Sequence, residues 1–109
     1  MIITKTCTAV DVTHCLGPPP LEFPITATGN NLVRPSSFSL SIGESQTVTL
    51  GPGSFTIHES VPGEFFNPVW EGNCVQSGGS PASGSPDATV TISAGQTLHC
   101  TILNRPAPI

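Results

Sequence analysis

The sequence is short of positive charge, and this shortage excludes two classes of function. Among 109 residues, lysine and arginine together number three, against seven aspartate and glutamate residues, and the net charge is −4. Binding to nucleic acid requires clustered lysine and arginine side chains that neutralise phosphates. Attraction to an anionic membrane surface has the same requirement. We therefore expect neither nucleic acid nor a membrane among the partners of this chain.

Long apolar runs and helix-forming residues are also scarce. No run approaches the roughly 18 apolar residues of a membrane-spanning helix. Threonine, valine and serine are plentiful, with 12 prolines and 11 glycines, a composition typical of strands and turns. Turn signals recur about every 8–12 residues, which predicts an all-β, antiparallel-rich β-sandwich of about seven strands. We expect one domain over residues 1–105, with residues 106–109 beginning a proline-rich linker or tail.

Two local expectations follow from the same pattern. Pro24 interrupts the alternation of residues 21–28 and lacks a backbone N–H group, so this segment is predicted to be an edge strand at best. Phe65, Phe66 and Trp70 are expected to supply much of the aromatic core.

The four cysteines are Cys7, Cys15, Cys74 and Cys100, and they indicate an oxidising compartment. The predicted location is therefore extracellular, either secreted or on a cell surface. Four cysteines allow three pairings, among which sequence does not choose; the most local joins Cys7 to Cys15 and Cys74 to Cys100. Their spacings match no paired zinc knuckle, so no metal or other cofactor is expected.

Three polar residues, Lys5, Glu59 and Asn104, fall on faces of predicted strands where alternation places apolar side chains. Their neighbours on those faces are Ile3 and Cys7, then Phe55 and Ile57, and finally Leu98, Cys100 and Ile102. Lys5 is also the sole lysine, whereas a solvated surface normally carries several. Because an unpaired buried charge costs several kcal/mol, each of the three requires a specific partner.

A buried lysine, glutamate and asparagine can form a covalent bond. Desolvation favours the neutral forms of an amine and of a carboxyl group. A neutral Lys5 is a nucleophile, and a protonated Glu59 donates a hydrogen bond to the side-chain carbonyl of Asn104, then carries protons as ammonia leaves. The product is an amide cross-link between the first and last strands, formed once per molecule with the help of proximity. The alternative is structural, since edge lysines often extend to solvent and terminal asparagines often cap turns.

The run GSFTIHESVPG at residues 53–63 closely resembles the signature G-x-Y-x-[VI]-x-E-x-x-[AP]-x-G-[YF] of collagen-adhesin B-type (Cna-B, SpaA-like) domains. Residues 3–6 resemble the first strand of that family, and residues 101–105 its closing strand. These domains are prealbumin-like β-sandwiches that build Gram-positive pilins, adhesin stalks and related surface proteins. The resemblance implies a prealbumin-like fold and an isopeptide bond between Lys5 and Asn104, with Glu59 as its catalyst.

The sequence departs from that family pattern in its aromatic residues and its cysteines. Phe55 replaces the usual tyrosine, and Phe65 lies one residue later than the usual aromatic. Disulfides are rare in the Gram-positive pilins. Cys74 and Cys100 instead resemble those of a subset of bacterial and archaeal surface repeats that end in G-x-T-x-x-C-T-x-x-N. Disulfides in place of the isopeptide bond therefore remain the alternative.

Two functions of different classes follow. The first is a structural module of a surface protein, stalk or pilus filament, whose partners are neighbouring domains or subunits of a surface fibre. The alternative is an adhesin domain held by disulfides alone that binds a host or cell-surface ligand. Sugar-binding surfaces usually display exposed tyrosine or tryptophan, and this chain has no tyrosine and one tryptophan, which favours the first. No catalytic constellation for an external substrate stands out, so an enzyme is not expected.

Overall fold

A computed structural model describes residues 1–7, 22–61, 66–79 and 83–105. These residues form eleven strands: β1 (Ile2–Cys7), β2 (Phe23–Gly29), β3 (Val33–Arg34), β4 (Ser37–Leu40), β5 (Ser45–Thr47), β6 (Thr49–Leu50), β7 (Gly53–Glu59), β8 (Val69–Gly72), β9 (Val75–Gln76), β10 (Asp87–Ile92) and β11 (His99–Asn104). This part of the chain contains no helix long and apolar enough to cross a membrane.

The strands form two main sheets. One sheet has the order β5-β1-β11-β8 and the other β4-β2-β7-β10-β9, while β3 and β6 make a two-stranded ribbon. Nearly all pairs are antiparallel; β1 and β11, the first and last strands, pair in parallel. The predicted all-β, antiparallel-rich sandwich is confirmed.

The predicted number of about seven strands is wrong, since the described residues contain eleven. The segment around Val48 shows one physical reason. Its side chain is fully buried. The residues before it pair with β1 and the residues after it pair with β3. The short stretch from Ser45 to Leu50 thus contributes two strands, β5 and β6, to different sheets.

The edge position expected for Pro24 is also wrong, because β2 lies between β4 and β7. The register explains why proline is tolerated there. On the β7 side, pairing begins with Ile25 opposite Glu59, so Pro24 lies beyond the end of that ladder. The carbonyl of Pro24 accepts the N–H of Ser60 at 3.0 Å, so its nitrogen faces Ser60 as well. The missing N–H group removes at most the reciprocal bond to Ser60, one residue beyond the end of β7.

The core lies between the two sheets and follows the predicted alternation. The inward residues of β7 and β10 are buried while their neighbours are largely exposed. Trp70 is buried, and its ring N–H donates to the carbonyl of Ser85 at 2.8 Å. Phe66 is 47% exposed and packs beside the guanidinium of Arg105, so the prediction that it belongs to the core is wrong. Phe65 lies outside the described residues.

A disulfide joins Cys74, in the connection between β8 and β9, to Cys100 in β11, with their Cα atoms 5.3 Å apart. This half of the most local pairing is confirmed. Cys15 lies outside the described residues, so its pairing with Cys7 stays a prediction. The same holds for the linker at residues 106–109 and for the domain boundary before it.

A substitution of Gly72, the last residue of β8, can test how closely β8 and β11 pack. Its φ is +81°, and a Cβ atom there would overlap the carbonyl oxygen of His99. Gly95 has the same φ of +81° with nothing within 4 Å of an added Cβ, so it isolates the backbone strain. We predict that Gly95→Ala lowers the free energy of unfolding by about 1 kcal/mol, whereas Gly72→Ala lowers it by about 2–4 kcal/mol. Equal losses in urea denaturation would contradict the predicted overlap.

Candidate functional site

Lys5, Glu59 and Asn104 meet in the core between the two main sheets. Lys5 comes from β1 and Asn104 from β11, which are neighbours in one sheet, while Glu59 is the last residue of β7 in the other. The exposed fractions are 0% for Lys5, 1% for Glu59 and 0% for Asn104. Such complete burial of three polar side chains is uncommon in a protein of this size.

The carboxyl group of Glu59 joins the other two residues. The Nζ atom of Lys5 donates to Oε2 in a buried ion pair, and Nδ2 of Asn104 donates to Oε1 at 2.8 Å. Each carboxyl oxygen therefore serves one partner. The three residues singled out by strand alternation form one connected cluster, with the carboxyl group between an amine and an amide.

Phe23 completes the surroundings of Lys5, and sequence reasoning missed it. This residue of β2 is fully buried, and the centre of its ring lies 4.1 Å from the Nζ atom of Lys5. The ring excludes water from that side of the amine, while its π face attracts the charged form. Only its alternation with Ile25 marked Phe23 as inward, and nothing in the sequence connected it with Lys5.

Burial lowers the pKa of Lys5 from 10.5 to about 8. Desolvation is the main cause, and it outweighs the charge and the hydrogen bond of Glu59, which both raise this pKa. The neutral amine is therefore far more accessible near neutral pH than in an ordinary lysine. Because a neutral amine is a nucleophile and an ammonium group is not, the core prepares Lys5 for attack on a carbonyl.

The amide of Asn104 is only half satisfied. Its Nδ2 contacts Glu59, whereas Oδ1 is buried with no hydrogen-bond partner among the described residues. This orientation suits an ionised Glu59, which only accepts hydrogen bonds. The arrangement predicted from sequence has a protonated Glu59 donating to Oδ1, which a half-turn of the amide would produce. An unpaired buried carbonyl costs about 1–3 kcal/mol, so the amide does not fully fit its site.

The histidines lie elsewhere. His58 on β7 contacts Asp87 on β10, with Nδ1 and Oδ1 2.8 Å apart and both side chains partly exposed. His99 is exposed on the other sheet, and His14 lies outside the described residues. Within the described ranges, no group of three or more His, Cys, Asp or Glu side chains could hold a metal ion.

The fold and this cluster define an all-β sandwich domain whose first and last strands meet at a buried Lys–Glu–Asn site. A model of the SpaA-type family, whose members are described as prealbumin-like fold domains, matches residues 4–102. The chain belongs to this family, as its motifs predicted.

Two crystal forms of a bacterial adhesin from Mobiluncus mulieris share this fold, with a TM-score of 0.67 each. That adhesin contains intramolecular disulfide, isopeptide and ester bond cross-links. Sequence identity is 18% and 16%, and the matches cover 98% of this chain but only 41% and 40% of the adhesin. At this identity the likeness shows the fold alone. No curated protein sequence is significantly similar to this chain.

The lowered pKa of Lys5 can be measured directly because it is the sole lysine. In an Asn104→Ala variant, which has no amide to attack, isotope-labelled lysine should give one NMR signal that titrates at about pH 8. In denaturant it should titrate near 10.5. The folded pKa is the lower one, so the unfolded chain binds more protons between about pH 8 and 10.5 and the stability of this variant rises with pH there. A midpoint near 10.5 in the folded protein would refute the effect of burial.

Proposed function

We propose that this domain is a structural module of an extracellular surface protein, stalk or pilus-type filament, reinforced by an isopeptide bond that it forms itself between Lys5 and Asn104. The observation that carries the proposal is the shared carboxyl group of Glu59, which contacts both reacting side chains in a core closed to water. Membership of the family supports it, as does the adhesin of the same fold that contains disulfide and isopeptide cross-links.

The reaction proceeds from the contacts in the cluster. A proton passes from the ammonium group of Lys5 to Glu59, to which it is hydrogen-bonded, leaving a neutral amine and a protonated carboxyl group. The amine attacks Cγ of Asn104 while Glu59 donates to the carbonyl oxygen, the orientation reached by the half-turn of the amide. Glu59 then takes the proton of the attacking nitrogen and delivers a proton to Nδ2. The C–N bond of the amide breaks and one ammonia leaves. Glu59 ends protonated, holding the proton that came from the ammonium group of Lys5.

A cross-link at this place protects the fold against force. It would enclose 104 − 5 + 1 = 100 residues, worth about 4.7 kcal/mol on the loop-entropy model. The mechanical effect is larger, because tension on the two ends of the domain would pass from β1 to β11 through a covalent bond without loading the sheets. Unfolding under force, which is governed by a rate, would then be largely blocked.

The setting of the domain follows from the same features. The Cys74–Cys100 disulfide fits an oxidising, extracellular environment, and the partners proposed are neighbouring domains or subunits of a surface fibre. The domain acts on no external substrate, since its chemistry is a single turnover on itself. In the alternative, an adhesin domain held by disulfides alone binds a host or cell-surface ligand, and Lys5 and Asn104 remain unlinked.

The mass of the intact, disulfide-reduced chain distinguishes these proposals. We expect the wild-type protein to be lighter than its sequence mass by one ammonia, because the amide nitrogen of Asn104 has left. Glu59→Gln keeps the shape of the side chain but cannot carry protons, so this variant should have its full mass. Glu71→Gln, at an exposed position of β8, is the matched control and should lose ammonia like the wild type. A full unmodified mass for the wild type would rule out the isopeptide bond.

The mechanical role has a separate test in single-molecule pulling between the two ends of the chain. With disulfides reduced, the Glu59→Gln variant should unfold and lengthen by an amount on the order of 300 Å, the reach of the residues between Lys5 and Asn104. The wild type should show no such step, because the cross-link bypasses those residues. An equal step in both proteins would contradict a covalent bond that carries the force from β1 to β11.

A further inference from the structure

We propose that the Cys74–Cys100 disulfide sets the register of β11, so that the isopeptide bond forms rapidly only after the disulfide has closed. This inference rests on the proposed function and makes Cys74 and Cys100 positioning residues for its reaction. It follows from where the disulfide attaches to β11 and from what else determines the register of that strand.

The apolar pattern of β11 does not by itself determine the register. Leu98, Cys100, Ile102 and Asn104 are all buried on one face. A slip of two residues would leave apolar side chains in the core but would move Asn104 along the sheet by about 7 Å. Ile102 or Pro106, depending on the direction of the slip, would then face Glu59, and no amide would be within reach of Lys5. A slip of one residue would turn Asn104 outward.

The hydrogen bonds at the start of β11 do not determine the register either, since they could form equally well after a slip of the strand. The N–H of Asn73 donates to the carbonyl of His99 at 2.8 Å, and the N–H of His99 donates to Oδ1 of Asn73 at 2.9 Å. On the β11 side, both bonds use backbone groups, which every neighbouring residue of the strand also offers. The disulfide differs because the described part of β11 holds one cysteine, Cys100. A bond to Cys74 therefore selects the register in which Cys100 lies opposite Gly72 and Ile3.

The reaction requires that β11 be in this register. Asn104 lies four residues beyond Cys100 on the same strand, or about 13 Å away, and its Cγ atom must come within about 3–3.5 Å of the amine. The order of the two closures also favours the disulfide. It links residues 26 apart, whereas the cross-link joins residues 104 − 5 = 99 apart, and the entropy cost of closing a loop grows with its length.

Each step balances. The two thiols of Cys74 and Cys100 give up two protons and two electrons to an oxidant of the disulfide class, which becomes a dithiol. The amine of Lys5 then replaces the amide nitrogen of Asn104, which leaves as ammonia. The consequence is that the chain stays largely free of the cross-link in a reducing compartment and acquires it after export to an oxidising one.

The order of events can be followed in the wild-type chain itself. The full chain, made by chemical synthesis and therefore unreacted, is diluted from denaturant into a glutathione redox buffer or into a strong reductant. Samples are alkylated at intervals to mark free thiols. Fragmentation of the intact chain in the mass spectrometer then counts the lost ammonia in each molecule and assigns the free thiols to individual cysteines. In the glutathione buffer, we expect the molecules that have lost ammonia to carry the Cys74–Cys100 disulfide. In reductant, where that disulfide is absent, we expect the loss to be slower by about tenfold or more.

A double variant separates the bond from the packing of its two residues. Cys74→Ala with Cys100→Val keeps apolar side chains in the core but cannot form the disulfide; fluorescence of the buried Trp70 reports whether it folds. The folded variant should lose ammonia as slowly as the reduced wild type, even in the oxidising buffer. Loss from the variant at the rate of the oxidised wild type, or wild-type molecules that lose ammonia as fast before their disulfide closes as after it, would overturn this inference and leave the proposed function standing. No loss from the oxidised wild type would overturn both.

Discussion

The structure depends on one carboxyl group, that of Glu59, held without water between the amine of Lys5 and the amide of Asn104. Stability alone does not explain such a cluster, because replacing a buried ion pair by apolar residues often leaves a protein equally stable or more stable. Its presence is better explained by chemistry. The desolvation that makes the ion pair costly also lowers the pKa of Lys5 and so prepares it for attack.

The topology of the sandwich brings this cluster together from the beginning, the middle and the end of the chain. Glu59 is 54 residues from Lys5 and 45 from Asn104, and its strand lies in the opposite sheet. The three side chains meet only when the first, middle and last strands are all in place. The reaction would therefore lock a finished fold, and the disulfide at Cys100 would control whether the last strand is finished in the correct register.

The inward placement of the three residues could be predicted because strands β1, β7 and β11 are regular, and period-two alternation then decides which side chains are buried. The family motif added the order of these strands. Alternation does not report which sheet a strand joins, and so the division of the chain at Val48 and the interior position of Pro24 were missed. Phe23 and the orientation of the Asn104 amide depend on contacts between distant strands, and Phe66 lies beside an arginine that offers an alternative to the core.

The most direct test of the central claim is tandem mass spectrometry of the disulfide-reduced protein after digestion with a glutamate-specific protease. Cleavage after Glu22 and Glu71 separates residues 1–22 from residues 72–109. The account predicts a branched fragment in which the side chain of Lys5 is joined to that of Asn104, lighter than the two parts together by one ammonia. Two linear fragments with Lys5 and Asn104 both at their unmodified masses would contradict it.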